Sequence, residues 1–186
     1  MTTQPKKSTT ILPGLRYADH VAFTVSNLDE AVAFFVAVFG AEELYRSERG
    51  PDAGFMPTNF DVAADAALSL SMLRLPPNLN VELFEWRGAG RGTEVPRASD
   101  AGGHHLAFTV DDVDAACEYL ATIPGVRVLG DVKQVVADSP TVAGNRWTYF
   151  QTPWGLTMEL VDRSRVTDPP RFVGPGDWDG CDPPGT

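Results

Sequence analysis

The chain has 186 residues, 43% of them hydrophobic, which is enough for a sizeable core and close to the length of one domain. Its formal net charge of -10, from 15 Lys and Arg against 25 Asp and Glu, argues against a nucleic-acid partner, since phosphate backbones need clustered cations. Two cysteines, Cys117 and Cys181, offer no disulfide framework or CxxC metal spacing; the polar N-terminus has no signal-peptide core and no apolar run could span a bilayer, so a cytoplasmic protein is expected.

Residues 1–14, rich in Thr, Ser, Lys and Pro, read as a flexible lead. From Tyr17 to Val25 the chain alternates as a strand, with His20, Ala22 and Thr24 on one face and Val21, Phe23 and Val25 on the other. A helix follows, capped at Ser26 or Asn27, with Ala31, Phe34, Phe35 and Val38 at helical spacing and Gly40 as its stop. Strands are expected at Glu43–Ser47, Ala67–Leu75 and Asn80–Glu85, with an irregular excursion over Gly50–Asp65 and a turn at Pro76-Pro77-Asn78. The first module thus spans 15–86 and reads β-α-β-β-β.

A linker poor in large apolar residues occupies 87–103. The second module, 104–162, repeats the plan: strand His105–Val110, helix Val113–Ile123, strands Val126–Leu129, Arg146–Gln151 and Leu156–Asp162. The Pro/Gly-rich tail, 163–186, cannot form a core alone and is expected to dock partially through Phe172 and Trp178.

The two modules are an internal repeat. Aligning His20 with His105 matches Ala22, Phe23, Thr24 and Val25 with Ala107, Phe108, Thr109 and Val110, then Asp29 with Asp114 and Ala31 with Ala116. At the far ends Val81-Glu82-Leu83 matches Met158-Glu159-Leu160. Each module therefore has one histidine on its first strand and one glutamate on its last, both flanked by residues facing the core. A carboxylate in that setting needs a partner, because burying an unpaired charge costs several kcal/mol. If the modules pair by a pseudo-twofold, His20, Glu82, His105 and Glu159 meet in one cleft. Such a mixed nitrogen and oxygen set suits a divalent ion with open positions, namely Ni, Co, Fe or Mn, and does not make a closed structural zinc site.

These residues, with Asp19-His20-Val21-Ala22-Phe23-Thr24-Val25, His105-Leu106-Ala107-Phe108-Thr109-Val110-Asp111-Asp112 and Pro153-Trp154-Gly155-Leu156-Thr157-Met158-Glu159-Leu160, resemble the vicinal oxygen chelate superfamily of glyoxalase I, methylmalonyl-CoA epimerase, extradiol dioxygenases and resistance proteins. The resemblance covers roughly 15–162. It implies an α+β fold of two tandem βαβββ modules building an eight-stranded, cup-shaped sheet around one divalent metal (Ni, Co, Fe, Mn or Zn), with ligands His20, Glu82, His105 and Glu159, and a homodimer.

The complete His/Glu/His/Glu set looks more like a glyoxalase-type lyase or isomerase than a dioxygenase. The implied chemistry is movement of an α-proton on a small substrate that chelates through oxygen, with Glu159 as first and Glu82 as second candidate base. The glyoxalase arginine that holds glutathione is absent after His20, where Val21, Ala22, Phe23 and Thr24 follow, and an epimerase of the methylmalonyl-CoA kind would carry Gln at Glu82. Arg146, Tyr149, Trp154 and Phe84 are candidates to line the substrate pocket; Trp147, Phe60 and Phe35 share the alternative of simple packing. His104 has the wrong parity for a ligand, and Cys117 reads as helix packing. The rival readings are an Fe(II) dioxygenase using His20, His105 and one glutamate, and a metal-free ligand-sequestering protein.

Overall fold

A computed structural model of the chain describes residues 18–77, 79–88, 92 and 94–167. Residues 1–14, Phe172, Trp178 and Cys181, which the sequence reading touched, lie outside them. The elements run β1 (Val21–Thr24), α1 (Leu28–Phe39), β2 (Glu42–Arg49), α2 (Phe55–Phe60), β3 (Ala67–Leu75), β4 (Leu79–Arg87), β5 (Leu106–Thr109), α3 (Val113–Ala121), β6 (Arg127–Gln134), β7 (Arg146–Gln151) and β8 (Thr157–Asp162). The strands form two four-stranded sheets, ordered β1-β4-β3-β2 and β5-β8-β7-β6, so the α+β architecture of two repeated modules is present.

In each sheet the first strand pairs in parallel with the last, and the register is the same in both copies. Ala22 stands beside Glu82 in one and Ala107 beside Glu159 in the other. A parallel pair needs a crossover, which α1 and α3 begin.

Helix α1 starts where Asn27 accepts from the Glu30 N–H and ends where Gly40 turns to φ 67°, a left-handed geometry that glycine adopts without steric cost. Its Leu28, Ala31, Val32, Phe34 and Phe35 are buried against Phe23, Val25, Leu73, Val81 and Leu83. One hydrophobic cluster includes the matching residues of the second module, Val113, Leu120, Phe150, Met158 and Leu160. Aromatic contacts cross between modules: Phe39 stacks on Phe108 at 4.2 Å, and Trp154 meets Phe34 edge-on at 5.3 Å. Phe35 is fully buried within this cluster, and truncating a side chain so placed to alanine costs about 3–5 kcal/mol.

The repeat extends to a device that the sequence reading did not find. At the start of α1 the Leu28 N–H donates to the Glu85 carboxylate at 2.7 Å, and at the start of α3 the Val113 N–H donates to Asp162. Leu28 matches Val113 and Glu85 matches Asp162 in the alignment that matches the histidines and glutamates. In both modules, therefore, an acid three residues beyond the glutamate satisfies an orphan helix N–H and suits the positive end of the helix dipole.

Several element ends shift by one or two residues from the sequence reading, and three differences matter most. The excursion after β2 contains α2, whose segment Phe-Met-Pro-Thr-Asn-Phe is too short to show a period. Strand β6 runs to Gln134, past Leu129, because Gly130 at φ 68° sits in an irregularity between Leu129 and Lys133 after which pairing with β7 resumes. Strands β1 and β5 begin one residue after His20 and His105, leaving both histidines at strand ends.

Candidate functional site

Within each module the shared register brings histidine and glutamate together. His20 Nε2 lies 3.3 Å from Glu82 Oε2, and His105 Nε2 lies 3.1 Å from Glu159 Oε2. The two pairs remain separate: no group of three or more His, Cys, Asp or Glu is gathered for a metal among the described residues. Both glutamates are nearly covered, at 13% and 17% side-chain exposure, whereas the histidines keep 35% and 40%. Each pair is thus a carboxylate backed by the sheet with an imidazole open to solvent.

His20 has a further partner, since its Nδ1 is 2.7 Å from Asp19 Oδ1. With the Nδ1 proton donated to that carboxylate, Nε2 presents a lone pair, and Glu82 Oε2 presents another toward it. Two converging lone pairs are stable only with a cation or a shared proton between them. The donor chemistry therefore fits a divalent metal, and a carboxylate holding the far nitrogen is the usual support of a metal-binding imidazole. Asp19 was the residue that sequence reasoning missed here; its signal was adjacency to His20.

Antiparallel partners share a face, so the register identifies what surrounds each pair. Around Glu82 stand Met72 and Tyr45 in one row and Phe84, Leu70 and Ser47 in the next. Tyr149 is the direct neighbour of Glu159, and its ring meets His105 edge-on at 5.2 Å. Burial first, and the charge of Glu159 second, push the Tyr149 phenol above its ordinary value, so it is a hydrogen-bond donor at neutral pH. Trp147 lies on the same face, 5.3 Å from Tyr149.

Arg146 is directed elsewhere. One residue from Trp147, it falls on the opposite face, where its guanidinium nitrogen donates to both Asp114 oxygens at 2.8 and 2.7 Å and lies near the buried Asp162. Trp154 packs on Phe34 and Phe35 and helps line a cavity of about 410 Å³ along β1, bounded also by Val95, Pro96 and His104. None of His20, Glu82, His105 and Glu159 lines that cavity. His104 stacks on Phe23 at 5.4 Å with its Nδ1 2.8 Å from the Gly102 carbonyl, a structural position. Cys117 is half-buried, and burial pushes its thiol up, away from the reactive thiolate.

Residues 19–143 match the family model described as the Glyoxalase/Bleomycin resistance protein/Dioxygenase superfamily. The chain belongs to this superfamily. A 2-epi-5-epi-valiolone epimerase of Actinomyces sp is 49% identical over 151 residues, covering 81% of each chain. Two solved structures share the fold. A glyoxalase family protein of Bacillus cereus has TM-score 0.62 at 19% identity, covering 81% of this chain and 97% of its own. The fosfomycin resistance protein FosX of Listeria monocytogenes, complexed with Mn(II) and sulfate, has TM-score 0.50 at 19% identity, covering 80% and 93%. Isomerase chemistry of the epimerase kind is thus the activity found in a relative spanning most of the chain.

Proposed function

We propose that the protein is a divalent-metal-dependent epimerase that inverts a carbon beside the carbonyl of a small, oxygen-rich ring, with 2-epi-5-epi-valiolone as the first substrate to test. The observation carrying this reading is the pair of equivalent His–Glu half-sites, each with imidazole and carboxylate about 3 Å apart, in a chain 49% identical to an epimerase. His20, Glu82, His105 and Glu159 would hold one ion, whose chemistry would be to polarise the chelating oxygens of the substrate. Because the pairs stand apart in one chain, the complete site is proposed to form in a homodimer, where His20 and Glu82 of one copy meet His105 and Glu159 of a second.

The residues divide the work as follows. Glu159 would remove the proton from the carbon beside the carbonyl and Glu82 would deliver one from the opposite face; before the next turnover Glu159 gives up its proton to water and Glu82 takes one from water, which resets the pair. Inversion requires groups on both faces, which two glutamates from unlike modules supply. Tyr149 donates a hydrogen bond beside Glu159, and Phe84 packs against the ring.

The test is to incubate the metal-loaded protein with 2-epi-5-epi-valiolone in deuterated water and follow the ring protons by NMR. Inversion with one deuterium incorporated at the inverted carbon is expected. Chelation abolishes it and Co(II), Ni(II) or Mn(II) restores it; Glu159→Gln removes it. Inversion without deuterium exchange, or full activity after chelation, would refute the mechanism.

A further inference from the structure

The face of the first sheet that carries Glu82 continues well beyond it. Register places Trp86, Leu68 and Arg49 in one row across β4, β3 and β2, four residues along β4 from the row of Glu82, Met72 and Tyr45. That separation is about 13 Å at the rise of a strand. The rows are joined by a chain of ring contacts. Phe84 and Trp86 are 5.9 Å apart, Trp86 meets Phe60 of α2 at 5.3 Å, and Phe60 meets Phe55 at 5.7 Å. The Arg49 guanidinium lies 4.3 Å over the Phe55 ring. An aromatic wall thus leads from Glu82 to a cation.

Arg46, Arg74, Arg87 and Arg146 each have a carboxylate partner, whereas Arg49 has no ion pair among the described residues. The nearest loop carboxylate in sequence, Asp52, is spent on the Gly54 and Phe55 N–H groups, which it holds at 2.9 Å to start α2. A guanidinium stacked on a ring keeps its edge donors free and held in plane, the geometry that receives two oxygens of a phosphate. The aromatic wall offers the apolar C–H face of a ring something to pack on.

We infer that Arg49, with Phe60 and Trp86, forms a specificity subsite for a phosphate-type group carried by the substrate on the side away from its chelating oxygens. This rests on the epimerase reading and narrows its substrate to a phosphorylated ring. A phosphate ester would extend a ring seated at the Glu82 row toward the row of Arg49.

The experiment compares 2-epi-5-epi-valiolone with its phosphate monoester. The wild-type protein is expected to favour the ester at least about tenfold in kcat/KM, and Arg49→Gln to bring that ratio to about one by raising KM for the ester without lowering kcat; Arg49→Lys recovers part of it. An unchanged ratio in Arg49→Gln, or no preference in the wild type, would overturn the subsite. If neither compound is turned over, the epimerase reading fails on its own, and calorimetric binding of the two compounds decides the subsite separately. Tighter binding of the ester that disappears in Arg49→Gln supports it, and equal binding overturns it. Circular dichroism checks that the variants, altered at an exposed strand end, are folded.

Discussion

Replacing Asp19 by alanine tests whether the His20 pair is a metal half-site. The side chain makes one contact that matters, the 2.7 Å approach to His20 Nδ1, while its backbone carbonyl keeps the Asn80 side-chain contact in any variant. A hydrogen bond to a charged group contributes about 1.5–3 kcal/mol. Asp19 is 72% exposed and His20 35%, so water offsets part of this and the low end applies. About 1.4 kcal/mol is a factor of about ten in affinity, the lower bound of the tenfold to hundredfold effect usual for carboxylates behind a metal-bound imidazole. The assay is competitive calorimetric titration of Co(II) or Ni(II) into metal-free protein near neutral pH. The alanine variant is expected to bind about tenfold more weakly, and Asp19→Asn, which keeps an acceptor oxygen, less weakly affected. Equal affinity in wild type and Asp19→Ala, with stoichiometric loading of both, would refute the assignment of Nε2 as the metal-facing nitrogen.

Three further outcomes are expected. His105→Ala loses bound metal by elemental analysis but keeps its circular dichroism spectrum, because the histidine lies outside the hydrophobic cluster; loss of fold would show a packing role. Gly144→Ala forces φ 87° on an alanine and brings its Cβ to 2.6 Å from the Arg165 carbonyl. Strain of about 1–2 kcal/mol plus partial release of the buried Val166 should lower Tm by roughly 5–15 °C, and a change under about 2 °C would show that residues 163–167 yield freely. For Asp162, burial pushes the carboxyl up, but hydrogen bonds from Ser164 and Val113 and the charge of Arg146 outweigh it, and the net shift is downward. A depressed folded value gives stability that is complete above the ordinary aspartate range and is lost as pH falls through the folded value. Denaturant melts of Asp162→Asn should therefore be less stable than wild type at neutral pH, with the gap closing in acid; a gap independent of pH would refute the linkage.

Much of the fold could be read from the sequence because local rules and the repeat agreed. Asn27, Gly40 and the Phe34–Phe35 stripe defined α1, and the two copies of His-Xaa-Ala-Phe-Thr-Val fixed which strands match. Strand parity alone paired His20 with Glu82 and His105 with Glu159 once β1 met β4 and β5 met β8. What parity also says, that Arg146 and Tyr149 face opposite ways, was outweighed by the suitability of arginine for a substrate anion; the ion pair with Asp114 shows the cost of reading residue type before face. The relation between the two pairs could not be read in the same way. It depends on how one sheet sits against another, which periodicity within a strand does not encode. The helix α2 escaped because six residues with a central Pro57 carry no helical period, yet its two phenylalanines complete the wall between Trp86 and Arg49.

The parallel pairing of first and last strands has one more consequence. It sets His20 against Glu82 and His105 against Glu159, so an ion bound by either pair acts as a clasp joining the two ends of a module that the chain connects only through everything in between. Opening the sheet at that seam would require surrendering the ion. Melting temperature should then rise with free metal, by mass action worth about 2.7 kcal/mol at a hundredfold excess over the dissociation constant. The seam would thereby report on its own ligand: thermal shift with a panel of divalent ions ranks the metals before any substrate is in hand.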